Sequence, residues 1–370
     1  MTDRWLVIMI GLVSTLLLLI AVVLVTLSSF EGWIDSALAG MALVSAGGIT
    51  GALSWMVRCS TQLEAEMSKV ERISNYSTLP PETNSSSVAM EVPENWPSQG
   101  KVEFRNVVIH YRSDLPPALK DISFVIEPRQ KIGVVGRTGA GKSSLTMALF
   151  RIVKASQGSI IIDGIDISTI SLLDLRHRLS IISQDPVLFS GSIRSNLDPY
   201  SSHEDFELWS ALKSVNLHDV VSLFENKLDH TVSEGGKNFS NGQRQLFCLA
   251  RALLRKSSIL VMDEATASVD PETDDFIQKT IRKEFGDRTI ITIAHRLPTI
   301  IDYDRVLVLD AGKVAEFGTP WELVNSGGIF QQLIERTGPL ASQFLRSAAH
   351  EAHNRIPLSL VGSSAASSHK

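Results

Sequence analysis

Residues 136–143 of this chain read GRTGAGKS, with the apolar run IGVV at 132–135 before them and SLTMALF at 144–150 after them. The order is that of a strand, a glycine-rich loop and a helix. Glycines allow successive backbone N–H groups to point at phosphate oxygens, and the following helix adds the positive end of its dipole. A glycine-rich turn without a ligand is the alternative, but the complete pattern in this context predicts a nucleoside triphosphate site.

In this pattern the lysine reaches the β- and γ-phosphates, and the hydroxyl that follows it ligates Mg²⁺. These roles fall to Lys142 and Ser143. The other predicted contacts between the loop and the triphosphate are Gly136, Gly139, Gly141 and Ser144. A nucleoside triphosphate and Mg²⁺ are therefore the expected ligands.

A second apolar run, ILVM at 259–262, ends in two carboxylates, Asp263 and Glu264. Buried strands often end near a charge, so this pair alone decides little. In a parallel-sheet protein that also has a phosphate-binding loop, Asp263 can hold the Mg²⁺ shell and Glu264 can face the attacking water. Between the loop and this strand, SNGQRQ at 240–245 opens an apolar helix-like run. Ser240 fits an ordinary helix N-cap; alternatively, this helix N-terminus is offered to a phosphate that another subunit holds.

Together these residues resemble the nucleotide-binding cassette of ATP-binding cassette transporters, over residues 101–338. Residues 136–143 are similar to the Walker A loop, Asp263 to the Walker B aspartate and Glu264 to the catalytic glutamate. Gln184 is similar to the Q-loop glutamine, and residues 240–243 are similar to the signature. Residues 268–270 resemble the D-loop, His295 the switch histidine and Tyr111 the aromatic residue that stacks on adenine.

The resemblance implies a role for each of these residues toward ATP and Mg²⁺. Gln184 completes the Mg²⁺ shell and His295 contacts the γ-phosphate, whereas Tyr111 stacks on adenine. Each of the last two residues has an alternative interpretation. His295 fits a structural histidine, and Tyr111 fits an ordinary tyrosine at a strand end. However, the apolar run IITI at 290–293 predicts a strand that delivers His295 to the ligand edge of the sheet. The signature residues Ser240, Gly242 and Gln243 act on ATP held by a partner cassette, so one cassette does not make a complete site.

A narrower resemblance comes from FSGSIRSNLDP at 189–199. It is similar to a segment of the multidrug-resistance-associated subfamily, which also contains the sulfonylurea receptors and the cystic-fibrosis conductance regulator. Glu264 points to the second cassette of that subfamily. Phe239 stands where the family often has leucine, and Asn241 where it usually has a small apolar residue. Since Ser240 and Gly242 are intact, we expect these two departures to modify the rate of ATP hydrolysis rather than abolish it.

Two apolar runs near the start predict a membrane hairpin. Residues 5–28 carry no charge and are long enough to cross a bilayer core of about 30 Å. A signal peptide would have a shorter apolar region, of about 7–15 residues. Residues 37–57 form the second run, and Arg4 and Arg58 lie at the far ends of the hairpin. The positive-inside rule then predicts a multi-pass integral membrane protein whose cassette and both termini are cytoplasmic.

The predicted fold class is an α/β P-loop NTPase cassette, with a RecA-like core plus a helical subdomain, preceded by two transmembrane α-helices. Apolar residues recur at helical spacing between 63 and 73, which predicts either an extension of the last membrane helix or a solvated surface helix. The expected divisions are 1–60 for the two membrane helices, 61–100 for a cytoplasmic helix extension and linker, 101–346 for the cassette and 347–370 for a disordered tail.

We expect the chain to hydrolyse ATP and thereby drive export of organic anions or conjugates as the C-terminal portion of a transporter. The alternatives are a regulatory module that binds nucleotide to gate a channel, and a truncated product without transport activity. Intact Glu264 and His295 favour the exporter, since gating needs binding more than turnover. The expected partners are a second cassette, the remaining transmembrane helices, membrane lipid and an unidentified small molecule. A net charge of −5 gives no sign of nucleic-acid binding, and Cys59 and Cys248 suggest neither a disulfide nor a metal cluster.

Overall fold

The computed structural model describes residues 2–79, 82, 90–112, 114–263, 271–294 and 296–355. The chain forms two compact units, which comprise residues 1–86 and 87–370. Both units follow from the patterns in the sequence, since the first is made of long apolar helices and the second alternates strands with helices.

The first unit is a helical hairpin. Helix α1 spans Thr2–Phe30 and helix α2 spans Ser36–Ser77. Asp35 ends the short connection, and its Oδ1 accepts a hydrogen bond from the backbone N–H of Ser36 at 2.8 Å. This contact caps α2, because the first N–H groups of a helix have no intrahelical acceptor. Both helices are long and apolar enough to cross a bilayer.

The second apolar run and the periodic segment that follows it belong to one helix. Helix α2 continues to Ser77 without interruption, and Leu63, Met67, Val70 and Ile73 lie exposed along it. Four large apolar side chains at helical spacing therefore remain uncovered within this unit.

The second unit contains twelve strands and ten further helices among the described residues. The strands are β1 Val102–Ile109, β2 Leu119–Ile126, β3 Lys131–Gly136, β4 Gln157–Ile162, β5 Ile165–Asp166, β6 Leu179–Ile182, β7 Gly191–Ser192, β8 Thr231–Val232, β9 Ile259–Asp263, β10 Thr289–Ile293, β11 Arg305–Asp310 and β12 Lys313–Gly318. The helices are α3 Lys142–Leu149, α4 Leu172–Arg178, α5 Ile193–Leu197, α6 Asp205–Ser214, α7 His218–Ser222, α8 Asn241–Leu254, α9 Pro271–Glu284, α10 Pro320–Asn325, α11 Ile329–Glu335 and α12 Pro339–Arg355. Short 3₁₀ helices span Ile167–Thr169, Lys227–Asp229, Glu234–Gly236 and Leu297–Thr299.

The main sheet has the strand order β12-β11-β3-β10-β9-β6 and is parallel except for β12. Continuous apolar runs are typical of parallel strands that are covered on both faces, and every residue of β10 is buried. The register pairs Ile293 of β10 with Val134 of β3 on one side and with Asp263 of β9 on the other. The carboxyl ends of the central strands therefore lie at one edge of the sheet.

A second sheet, β2-β1-β4-β5, is antiparallel. Phe104 of β1 and Phe124 of β2 stack with their ring centroids 4.6 Å apart, inside a core that also includes Leu145 and Leu149 of α3. A separate core joins α5, α6 and α8 with one side of the main sheet. The predicted fold class, a P-loop cassette with a helical subdomain, is confirmed by this arrangement.

The expected linker is wrong in its last part. Trp96 is 5% exposed, and its Nε1 donates a hydrogen bond to the Ile162 carbonyl at 2.9 Å. The backbone N–H of Met90 also donates to the Thr169 carbonyl. Residues 90–100 therefore pack on the cassette, because one buried tryptophan outweighs the prolines and serines around it. Residues 80, 81 and 83–89 lie outside the described residues.

The expected disordered tail is wrong for residues 347–355, which belong to α12. Ala349 is 1% exposed, and the ring of His350 lies 4.7 Å from that of Trp321 in α10. Small side chains allow α12 to approach the helices beneath it closely, so a composition that predicts disorder here builds a packed helix. Residues 356–370 lie outside the described residues.

We expect a chain that ends at Arg346 to unfold at a lower temperature than the full chain. The truncation removes the buried Ala349 and uncovers Trp321, at a cost of about 1–3 kcal/mol and about 5 °C in melting temperature. A chain that ends at Arg355 is the control, since it retains every described contact of α12. Equal melting temperatures for the two truncations would contradict the packing role of α12.

Candidate nucleotide site

The glycine-rich loop leaves β3 at Gly136 and enters α3 at Lys142. A Cβ atom at Gly136 would collide with the Leu309 carbonyl of β11. Gly141 has φ +102°, and a Cβ atom there would lie 2.7 Å from Leu119 Cδ2. Both positions therefore require glycine, and the backbone between them forms a cradle.

Lys142 places its ammonium group inside this loop. The side chain is 7% exposed, and Nζ donates hydrogen bonds to the carbonyls of Gly136 at 2.9 Å and Arg137 at 3.2 Å. A buried ammonium is costly unless it is paired, and the two carbonyls satisfy it. The first N–H groups of α3 have no intrahelical acceptor, so they add donors beside this positive charge. The arrangement fits the phosphates of a nucleotide.

Asp263 and Gln184 lie at the same edge of the main sheet as the loop. Asp263 is half-buried at the end of β9, and Gln184 is exposed two residues after the end of β6. The register pairs Met262 with Ile182, so the two strands end side by side. Carboxylate and amide oxygens are ligands that Mg²⁺ accepts, and Ser143 is exposed in the first turn of α3. These residue types therefore fit a magnesium shell at this edge.

Three of the predicted elements, Glu264, residues 268–270 and His295, lie outside the described residues. The described residues Asp263 and Ala294, which precede Glu264 and His295, lie at the carboxyl ends of β9 and β10. Glu264 follows Asp263 directly. His295 follows Ala294, whose backbone N–H donates to the Val134 carbonyl of β3 at 3.0 Å.

Tyr111 is brought to the loop from a distant part of the chain. Its hydroxyl shares a hydrogen bond of 2.8 Å with Ser144 Oγ in the first turn of α3, while the side chain remains 49% exposed. The ring is thus anchored next to the loop and keeps accessible surface. Ser144 is predicted from the sequence as a phosphate contact, and its hydroxyl is already engaged with Tyr111.

The signature segment begins α8 with a reciprocal cap. Ser240 Oγ accepts from the Gln243 N–H at 3.2 Å, and Gln243 Oε1 accepts from the Ser240 N–H at 3.0 Å. The N-cap interpretation of Ser240 is therefore confirmed. Ser240 is exposed whereas Gly242 is buried, so Ser240 presents the more accessible surface of the two. Their contact with the nucleotide of a partner stays a prediction.

Phe239 belongs to an aromatic cluster, which explains why a phenylalanine is accepted at this position. The side chain is buried, and its ring centroid lies 5.0 Å from that of Phe247, 6.1 Å from Phe224 and 6.5 Å from His230. Aromatic pairs at such separations stabilise a core. The substitution of phenylalanine for the usual leucine is thus accommodated inside the helical subdomain.

Two residues that the sequence did not single out hold the segment after Gln184. Asn196, which is 4% exposed, accepts from the Phe189 N–H and donates to the Phe189 carbonyl, both at 2.8 Å. Arg251 of α8 donates from Nε to the Asn196 carbonyl at 2.8 Å. Burial lowers the pKa of the Arg251 guanidinium from its ordinary value. Asn196 stands between Ser195 and Leu197, so no local pattern in the sequence indicates this anchor.

Comparison with known proteins places these features in a family. The family described as ABC transporter matches residues 119–267. The chain is 47% identical over 348 residues to ABC transporter C family member 3 of Dictyostelium discoideum. This alignment covers 94% of this chain and 24% of that relative. It is 48% identical over 338 residues to ATP-binding cassette sub-family C member 2 of Rattus norvegicus, with 91% of this chain and 22% of that relative covered. The chain thus spans about a quarter of the length of these relatives.

A solved structure with the same fold is described as a bacterial Atm1-family ABC exporter with ATP bound. The two chains superpose with a TM-score of 0.66 at 31% sequence identity. The match covers 81% of this chain and 52% of the exporter chain.

We expect Phe239→Ala to lower the free energy of unfolding of the second unit by about 3–5 kcal/mol, because it leaves a cavity in the aromatic cluster. Phe239→Leu keeps most of the volume and should cost less than about 1.5 kcal/mol. Urea unfolding followed by tryptophan fluorescence measures both values. An equal effect of the two substitutions would show that the cluster does not depend on the ring.

Proposed function

Because the chain belongs to the ATP-binding cassette transporter family, and within it to subfamily C, we propose that its cassette hydrolyses ATP to drive export across a membrane. The observation that carries this proposal is the buried Lys142 ammonium inside the glycine cradle, at the sheet edge where Asp263 and Gln184 lie. A compact cation next to the backbone N–H groups of a helix N-terminus suits the phosphates of ATP.

The loop binds the triphosphate through the backbone of Gly136, Gly139 and Gly141 and through the Lys142 ammonium. Tyr111 stacks on adenine, which its half-exposed ring and its bond to Ser144 support. Stacking on an aromatic face orients the base and leaves the phosphates to the loop.

Ser143, Asp263 and Gln184 would hold Mg²⁺ with their oxygen atoms. When bound, the ion neutralises the negative charge that develops on the phosphate oxygens during hydrolysis. The described positions of these residues at one sheet edge support this assignment.

Glu264 and His295 complete the hydrolytic machinery in this proposal. Glu264 orients the attacking water or takes its proton, and His295 contacts the γ-phosphate. Phosphoryl transfer needs mainly positioning and charge stabilisation from the protein. The neighbours Asp263 and Ala294 at the ligand edge support both roles.

Ser240, Gly242 and Gln243 act on ATP that a partner cassette holds, while this chain's own loop receives the signature of that partner. Helix N-termini favour phosphate, which supports the role of the start of α8. The chain then corresponds to the second cassette and the last two membrane helices of a longer transporter. The remaining transmembrane helices supply the translocation pathway.

Helices α1 and α2 lie in lipid, with the cassette and both termini on the cytoplasmic side. Their apolar composition and exposed side chains support this placement. The transported compounds are organic anions or conjugates, a class that rests on the resemblance to the multidrug-resistance-associated subfamily. ATP hydrolysis that rises when such compounds are added would support the class.

We expect Lys142→Ala to weaken ATP binding by about 10-fold to 100-fold, because it removes a charge-assisted contact with the phosphates. Titration with a fluorescent ATP analogue measures the dissociation constant. Lys154→Ala, which removes an exposed lysine elsewhere, is the matched control. Unchanged affinity in Lys142→Ala would remove this residue from the site.

We expect Glu264→Gln to retain ATP binding and to lower the hydrolysis rate by at least about 100-fold, the usual contribution of a general base. Phosphate release and nucleotide titration on the same samples separate the two effects. Glu272→Gln, at an exposed position of α9, is the control. Both measurements use the chain assembled with a partner cassette. Full turnover by Glu264→Gln would then contradict the role of the glutamate, and ATP binding without turnover in the unmodified assembly would favour the regulatory module.

A further inference from the structure

Asn241 is the point at which the chain departs from the usual signature, and the structure shows a contact that the usual residue lacks. Its Oδ1 accepts a hydrogen bond from Nη2 of Arg244, three residues later in the first turn of α8. A small apolar side chain at this position has no oxygen to offer. Asn241 itself is exposed, so its role is not to fill the core.

Arg244 is also held from the opposite side. Its Nη1 donates to the Gly235 carbonyl at 3.1 Å, and a Cβ atom built on Gly236 would lie 3.1 Å from Arg244 Cδ. The aliphatic stem therefore lies directly on Gly236. The buried Nε has no hydrogen-bond partner among the described residues, so the two Nη contacts carry the pairing of this guanidinium.

The same glycine contacts the segment that follows Gln184. A Cβ atom on Gly236 would lie 2.8 Å from Cδ1 of Leu188, which is 2% exposed. Continuous contacts thus run from the Gln184 segment through Gly236 and Arg244 to Asn241, which is adjacent to Ser240. Arg244 links two segments that meet only in the folded protein.

Electrostatics make the oxygen at Asn241 important. A cation in the first turn of a helix faces the positive end of the helix dipole, which is unfavourable. The carbonyl oxygens of Gly235 and Asn241 offset this cost by pairing with the guanidinium. Without Asn241 one of the two acceptors is lost, and the guanidinium is free to leave the 234–236 loop.

We propose that Asn241 is a positioning residue, which holds Arg244 against the Gly235–Gly236 loop and thereby fixes the backbone at Ser240 and Gly242. This inference rests on the proposed function, in which these two residues contact the γ-phosphate of a partner cassette. Asn241 acts through Arg244 rather than by touching the nucleotide.

A double-mutant cycle tests this role on the full chain in lipid nanodiscs, assembled with its partner cassette. We expect Asn241→Ala to lower kcat about tenfold, the usual effect of losing a hydrogen bond to a charged group. The dissociation constant for ATP at the chain's own loop should stay unchanged. In the Arg244→Ala background, Asn241→Ala should change kcat by less than about twofold, since the two side chains act as one unit.

Lys237→Ala is the matched control, because Lys237 is an exposed residue of the same loop. An equal loss from Asn241→Ala in both backgrounds would show direct action on the nucleotide and would overturn the inference, as would an unchanged kcat in the single variant.

Hydrogen exchange of the backbone amides at 235–244, measured without nucleotide, separates this inference from the proposed function. We expect faster exchange at Ser240 and Gly242 in Asn241→Ala and not in Lys237→Ala. Absence of hydrolysis in the unmodified assembly would contradict the proposed function alone. Unchanged exchange in Asn241→Ala would overturn the positioning role whether or not ATP is hydrolysed.

Discussion

Strand β3 is hydrogen-bonded in parallel to β10 on one side and to β11 on the other, and this central position fixes where the glycine loop opens. The register places the ends of β10 and β9 beside Val134, so both strands end close to the point where β3 gives way to the loop at Gly136. Gly136 then meets the Leu309 carbonyl so closely that no side chain fits. The glycine cradle is therefore a consequence of the sheet as much as of the loop.

The loop also depends on segments that are far away in the chain. Tyr111 reaches Ser144 through a hydrogen bond, and Leu119 closes on Gly141. Both residues belong to the region of the antiparallel sheet, which packs with α3 around Phe104 and Phe124. The antiparallel sheet thus supports the loop and supplies the aromatic ring proposed for adenine.

The contacts of the helical subdomain fix the position of the N-terminus of α8. Phe239, which directly precedes the helix cap, is buried in an aromatic cluster with Phe247 of α8. The side chains of Ser240 and Gln243 then cap the first turn of the helix. Asn196 and Arg251 attach the segment that follows Gln184 to the same helix. The two departures from the family pattern, Phe239 and Asn241, both lie within this framework and not in the glycine loop.

The sequence by itself determined the loop at 136–143, the apolar strands, the two apolar helices and the cap at Ser240, because each is a local pattern of residue types at fixed spacing. Only the tertiary structure decided that Trp96 and Ala349 are buried, since their neighbours in sequence have the composition of linkers and tails. It also decided that Gly236 lies against both Arg244 and Leu188, because the contact with Leu188 joins segments that no spacing relates. Local patterns fix elements, whereas burial and pairing depend on which distant surfaces meet.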